Sequence, residues 1–324
     1  MMSNGSSPGN RQLADMLIPH LHRACSGHLG EIHWFRADWQ RGGAATGRST
    51  WQTEDGRSHD VMVKFPIRAR ELLWMRRLQH PTGNKAPVVP HLYASGSSLE
   101  SYDLAWIVIE WLPFGPLGKR WHVDHIRRTA EAVTRFHEEA DEFPVETEKA
   151  RREDWNELHD TALKSVKRNH IDKEDRWLEL LNRLAQNLPD MVTRWRSRET
   201  DHWIHGDLHL ANALSRDAVE SGAVTLIDLA EVRPGHWLED AVYLERRLWA
   251  RPERLAEARP VAAIAEARQS RSLPTEDNYE QLADIQRALM AATAPAFMKT
   301  EGHPRYLAAC REQLADSLDR FEQG

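Results

Sequence analysis

Cysteine is almost absent from this chain. Its 324 residues hold two, Cys25 and Cys310, far apart and outside any metal-ligand or redox spacing. That scarcity excludes a disulfide framework and leads to the expectation of a reducing compartment. Long apolar runs are missing as well. The most apolar stretch, AWIVIEWL at 105 to 112, is interrupted by Glu110 and is far shorter than the ~20 residues a membrane-spanning helix needs. The opening MMSNGSSPGN has no basic region followed by an apolar run, so it does not read as a secretory signal. A soluble, cytoplasmic protein is expected. An excess of positive charge is lacking too: Lys and Arg number 43 against 49 Asp and Glu, a formal net charge of -6. Nothing in that balance draws the chain to nucleic acid or to an anionic membrane, and neither is expected as a partner. Oligomeric state is not legible.

What is present changes character along the chain. Residues 1 to 10 are polar and read as a disordered tail. From 11 to 111 a leading helix is followed by short runs rich in Trp, Val, Phe and Thr, separated by glycine-bearing loops. Glu54-Asp55-Gly56 reads as a hairpin turn between two such runs. RARELLWMRRLQH has the spacing of an amphipathic helix, and HLYAS and AWIVIEWL read as two further strands. The Pro- and Gly-bearing segment 112 to 118 then serves as a linker. Residues 119 to 324 are mostly long, charged, amphipathic helical sequence, interrupted by a compact island at 202 to 232. The fold class expected is α+β, a small β-rich part followed by a larger helical part.

The island carries the chemistry. HGDLHLANAL at 205 to 214 places His205, Asp207 and Asn212 at the spacing of a kinase catalytic loop. A carboxylate there can accept a hydrogen bond from an attacking hydroxyl. An amide oxygen five residues on (212 − 207) can reach a magnesium ion. Asp228 follows 16 residues later (228 − 212), at the end of the apolar run AVTLI. Two carboxylates and one amide are hard oxygen donors, suited to Mg2+ with room left for phosphate oxygens and water. Asp and Asn also favour caps and turns, but that accounts for each residue singly and not for the joint pattern.

These segments resemble the aminoglycoside phosphotransferase and choline kinase-like family, whose catalytic loop reads much like HGDLHPGN. The resemblance continues through IDLAEVRPGHWLEDAVYLE and, upstream, RELLWMRRL followed by VVPHLYASG. It implies a protein-kinase-like two-lobed fold and transfer of the γ-phosphoryl of ATP, or GTP, to a hydroxyl of a small molecule such as an aminoglycoside, a sugar or an amino alcohol. A catalytically inactive binding module and a protein kinase are the alternatives. By the resemblance Asp207 is the catalytic carboxylate, Asn212 and Asp228 bind Mg2+, Asp240 steadies the loop and His205 positions it. Lys64, at the end of the strand-like VMVKF, would contact nucleotide phosphates, with Glu71 as its partner seven residues on (71 − 64). Gly42, Gly43 and Gly47 would form a loop whose backbone amides approach phosphate. Glu110 and Leu112 would flank the connector that meets the adenine.

Three further expectations concern details. The segment Gly42 to Ser49 imitates a phosphate-binding Gly-x-x-x-x-Gly-Arg-Ser motif, yet such a loop must open a helix and STWQT reads as strand, so Arg48 is placed on a strand. Trp155, Trp237 and Trp249 are candidates to line an acceptor pocket. Glu239, Glu245, Glu276, Asp277, Glu280 and Asp284 are candidates for a negative field that favours a cationic acceptor, balanced against their use as a solvated face.

Overall fold

The structure is a computed structural model and describes residues 8–36, 44–79, 86–217 and 222–323, with side chains from Ala14 onward. Contacts gather the chain into two compact units, Met1–Lys119 with Ala211–Val232, and Arg120–Leu210 with Arg233–Gly324.

The first unit opens with helix α1 (Pro8–Ala24) and is built on five strands: β1 (His33–Arg36), β2 (Ala45–Gln52), β3 (Ser58–Ile67), β4 (Leu92–Gly96) and β5 (Ala105–Glu110), with α2 (Ala69–Arg77) after β3. The strands lie in the order β1-β2-β3-β5-β4 and every pairing is antiparallel. Alternation along β3 divides its two faces. Val61, Val63 and Phe65 are fully buried and pack in one cluster with Leu17 and Leu21 of α1, Ala45 of β2, and Trp106 and Val108 of β5. Lys64 lies between two of these and so faces the other way, toward α2. Arg48 sits within β2 opposite Met62, as its strand assignment required.

The same unit holds a small hairpin of β7 (Ala213–Ser215) and β8 (Val224–Leu226). The sequence had assigned 211–232 to the helical part and 112–118 to a linker; both belong with the β-rich unit. Backbone hydrogen bonds explain this, since Ser215 N–H donates to the Phe114 carbonyl at 2.9 Å and Leu226 N–H to that of Val88 at 2.8 Å.

The second unit is mainly helical: α3 (Asp124–Ala140), α4 (Trp155–Arg168), α5 (Glu174–Arg196), α6 (Trp237–Arg246), α7 (Pro252–Ala258), α8 (Pro260–Ser270), α9 (Tyr279–Thr293), α10 (Met298–Glu301) and α11 (Pro304–Gln323). A two-stranded ladder of β6 (His202–Ile204) and β9 (Arg233–Gly235) leads into the catalytic-loop sequence and into α6. Helix α6 begins in a capping box. His236 Nδ1 accepts from Leu238 N–H at 3.2 Å, and Glu239 Oε1 accepts from His236 N–H at 3.1 Å. Among the described residues no helix is long and apolar enough to cross a membrane.

Candidate active site

In the β-rich unit, three sequence-predicted residues meet. Lys64 Nζ donates to Glu71 Oε1 at 2.6 Å and to Asp228 Oδ1 at 3.2 Å. Glu71 enters from the first turn of α2, where a carboxylate also complements the helix dipole. It is 3% exposed, so the ion pair is largely removed from water. Burial works against the Lys64 charge, but Glu71 and Asp228 outweigh it and hold the ammonium above its ordinary range.

The hairpin sets Asn212 beside the residue preceding Asp228. Asn212 comes directly before β7 and Ile227 directly after β8, and Ile227 N–H donates to the Asn212 carbonyl at 3.0 Å. Asp228 itself has φ 65° and ψ 59°, a left-handed conformation that costs a non-glycine residue free energy. Helix α2 supports the segment that follows: Arg70 Nη1 donates to the Val232 carbonyl at 2.6 Å, and Arg68 pairs with Glu231. Among the described residues no group of three or more His, Cys, Asp or Glu is placed to hold a metal. The donors here are one amide and one carboxylate, both hard oxygens, and this set fits Mg2+ that also takes phosphate oxygens. His202, His205 and His209 form no metal cluster.

Glu110 ends β5, and its carboxylate is engaged by Arg216 at 3.0 and 2.7 Å. Arg216 also donates to Thr225 Oγ1 of β8 at 2.8 Å, so the end of β5 is tied to the hairpin that carries Asn212 and Asp228. The Glu110 side chain therefore holds structure, and its backbone N–H is engaged as well, donating to the His91 carbonyl at 2.8 Å. Leu112 is buried. Gly42 and Gly43 lie outside the described residues. Gly47 does not fit a phosphate loop. It lies within β2 opposite Trp34 and Val63, and a Cβ there would meet Ile32 Cγ2 and Trp34 Cε3 at 2.7 Å. Its lack of a side chain serves strand packing.

In the helical unit the loop around Asp207 is held from α6. Fully buried Asp240 accepts the backbone N–H of His205 at Oδ2 (2.8 Å) and of Gly206 at Oδ1 (2.9 Å). Gly206 has φ 79°, so the chain turns at a residue without a Cβ and presents Asp207. His137 on α3 completes the anchor, with Nε2 3.0 Å from Asp240 Oδ2. Burial keeps His137 below its usual range despite Asp240, and hence neutral. Arg268 Nη1 donates to its Nδ1 at 3.3 Å, so the proton sits on Nε2 and is donated to Asp240.

Asp207 accepts from the Tyr243 hydroxyl at Oδ1 (2.7 Å), and His209 Nε2 lies 3.6 Å from Oδ2. Burial raises the Asp207 pKa, but the nearby His209 imidazole and the hydrogen bond from Tyr243 prevail and hold the carboxylate well below its ordinary range. Sequence reasoning missed Tyr243, although it stands one helical turn after Asp240 (243 − 240 = 3) and so on the same face of α6.

Two expectations about the helical unit are corrected. Trp155, Trp237 and Trp249 are 5%, 1% and 5% exposed and belong to the interior, so they line no acceptor surface. The acidic residues are largely neutralised, with Asp277 and Glu280 of the six left exposed. Glu239 pairs with Arg198 and Arg233, Glu245 with Arg287, Glu276 with His236, and Asp284 with Arg287 and Arg320.

A family model described as the phosphotransferase enzyme family matches residues 38–285. Among curated proteins none matches this sequence. Solved structures share the fold. A microcompartment-associated aminopropanol kinase is 15% identical with a TM-score of 0.58, over 95% of this chain and 97% of that one. An aminoglycoside phosphotransferase from Alicyclobacillus acidocaldarius is 18% identical with a TM-score of 0.55, over 91% and 92%. A spectinomycin phosphotransferase solved with ADP and spectinomycin is 14% identical with a TM-score of 0.52, over 95% and 93%.

Proposed function

The chain belongs to the phosphotransferase enzyme family, and we propose that it transfers the γ-phosphoryl of ATP, with Mg2+, to a hydroxyl of a small molecule. The observation that carries this is the hydrogen-bonded set Lys64–Glu71–Asp228, with Asn212 beside it on the β7–β8 hairpin. Phosphoryl transfer asks little covalent chemistry of a protein and much positioning of charge. Lys64, its ammonium held charged by Glu71 and Asp228, binds nucleotide phosphate. Asn212 and Asp228 would hold Mg2+, which neutralises phosphate charge when bound. Asp207 accepts a hydrogen bond from the acceptor hydroxyl and orients it. Its depressed pKa suits orientation better than early proton removal, as expected where the transition state is loose and the proton leaves late.

Solved structures of this fold include an aminopropanol kinase and a spectinomycin phosphotransferase. They support a small hydroxylated acceptor, drawn from aminoglycoside-like molecules, sugars and amino alcohols. ADP in one of these structures supports adenine nucleotide use. A reducing, cytoplasmic setting fits the two buried free thiols, Cys25 and Cys310.

The test is acceptor-dependent ADP release from MgATP across a panel of aminoglycosides, sugars, amino alcohols and macrolides. Release stimulated by at least one member is expected. No release with any acceptor, from a folded protein that binds MgATP, contradicts the proposal and favours a binding module.

A further inference from the structure

We infer that the acceptor carries an anionic group, a carboxylate or a phosphate, near the hydroxyl it presents to Asp207, and that Arg247 binds this group. The inference rests on the catalytic role proposed for Asp207 and names the chemistry of its acceptor.

Helix α6 turns one face to the catalytic loop. Asp240 holds the loop backbone through the N–H groups of His205 and Gly206, and Tyr243 donates to Asp207 Oδ1 at 2.7 Å. Residues three and four apart share a helix face, so this face continues through Arg246 and Arg247. Arg247 closes the helix with φ -68° and ψ -15°, still right-handed helical, and the spacing holds to that point. It stands four residues after Tyr243 (247 − 243), about 6 Å along the axis. Long side chains on a helix lean back toward its N-terminus. That brings the Arg247 guanidinium toward the turn that holds Tyr243 and Asp207.

The two arginines differ in what they already hold. Arg246 lies over the Tyr243 ring, with Cζ 4.0 Å from the centroid, and its Nη1 donates to Glu301 Oε1 of α10 at 2.9 Å. Its charge is spent. Arg247 is exposed, and among the described residues nothing pairs with its guanidinium or accepts a hydrogen bond from it. Its charge still reaches the site: burial raises the Tyr243 pKa, and the charges of Arg246 and Arg247 oppose that rise. The remaining acids of α6 are engaged elsewhere. Glu245, two residues from Tyr243 (245 − 243), falls on the opposite side of the helix and pairs with Arg287 at 2.7 Å. Glu239 pairs with Arg198 and Arg233.

The charge that α6 leaves beside Asp207 is therefore a guanidinium, whose fork matches the paired oxygens of a carboxylate or a phosphate. A polycation gains nothing from it. A sugar acid, a sugar phosphate or a hydroxy amino acid gains a charge-assisted contact that also orients its hydroxyl. In the transfer the γ phosphorus exchanges its bond to the ADP oxygen for one to the acceptor oxygen, and the hydroxyl proton passes to solvent. The product is a phosphomonoester that keeps its anionic group.

The experiment measures ADP release from MgATP by the wild type, Arg247→Gln, Arg247→Lys and Asp207→Asn with matched compounds. These are glucose, gluconate and glucose 6-phosphate; 1-amino-2-propanol and threonine; and kanamycin as a polycation. Thermal unfolding verifies that each variant is folded. In the wild type, kcat/KM should be at least about tenfold higher for an anionic compound than for its neutral or cationic counterpart, as for one hydrogen-bonded charge pair. A lead by gluconate or threonine marks a carboxylate and a lead by glucose 6-phosphate a phosphate, and either supports the inference. In Arg247→Gln that ratio should fall toward one, chiefly through the KM of the anionic acceptor. Arg247→Lys keeps the charge without the fork and should retain part of the ratio. Neutral or cationic compounds used as well as anionic ones, or a ratio that survives in Arg247→Gln, would each overturn the inference. Wild-type turnover in Asp207→Asn, or no ADP release from the wild type with any compound, would instead overturn the catalytic role on which it rests.

Discussion

Lys64 Nζ lies 2.6 Å from Glu71 Oε1, although only seven residues (71 − 64) separate the two along the chain. Strand β3 runs to Ile67 and α2 starts at Ala69, so a turn of one residue brings the carboxylate back over the ammonium. Breaking such a pair on one side leaves a buried charge without its partner. Lys64→Met should therefore destabilise the protein by about 3–5 kcal/mol. Lys64→Met with Glu71→Leu should recover most of that loss while restoring no turnover. Urea unfolding midpoints, read with ADP release, check both. A double variant as unstable as the single one would show that the pair's charge is not the source of the cost.

Asp240 predicts a second effect. Its two oxygens take two backbone N–H groups and the His137 proton in a fully buried place. Asp240→Asn replaces one acceptor oxygen with a donor that faces another donor. A destabilisation of about 1–3 kcal/mol is expected from the unsatisfied groups. Because the loop it anchors presents Asp207, kcat should fall as well. Denaturant unfolding at an unchanged m-value, combined with turnover, measures both. Wild-type stability would contradict the anchor.

Glu276 predicts a pH dependence. It accepts from His236 Nε2 at 2.7 Å and from Trp237 Nε1 at 3.1 Å. Burial alone would raise its pKa, but these partners lower it from 4.5 to about 2. A carboxyl with a depressed folded pKa contributes stability that is fully present above its unfolded pKa and lost as pH falls through the folded one. The contribution should thus be intact at pH 7 and disappear between about 4.5 and about 2. Wild type and Glu276→Gln should differ in urea midpoint at neutral pH and converge across that window. A constant difference would remove the linkage.

Local pattern carried much of the architecture into the sequence. The β-branched run VMVKF marks β3, and Glu54-Asp55-Gly56 marks its turn, where Gly56 has φ 80°. Spacing in HGDLHLANAL marks the loop because that order is covalent. What escaped is what distant chain segments bring. Gly47 reads as loop until β1 lays Ile32 and Trp34 against it. The acids of α6 and α9 read as a field until Arg198, just beyond α5, Arg287 of α9 and Arg320 of α11 pair with them. The place of 211–232 in the β-rich unit depends on hydrogen bonds to Phe114 and Val88, about a hundred residues or more away, and no periodicity reports those. Tyr243 was within reach, since helical spacing from Asp240 points to it.

The most direct test of the account is phosphoryl transfer by Asp207→Asn at saturating MgATP. The change keeps the size of the side chain and its contact with Tyr243 while removing the charge that orients the attacking hydroxyl. Turnover should fall by roughly 10²–10⁴-fold, the contribution of a positioned acid-base group. MgATP affinity, measured by calorimetry on the same protein, should stay near that of the wild type, because Lys64, Asn212 and Asp228 are untouched. Turnover near the wild-type rate would contradict the account.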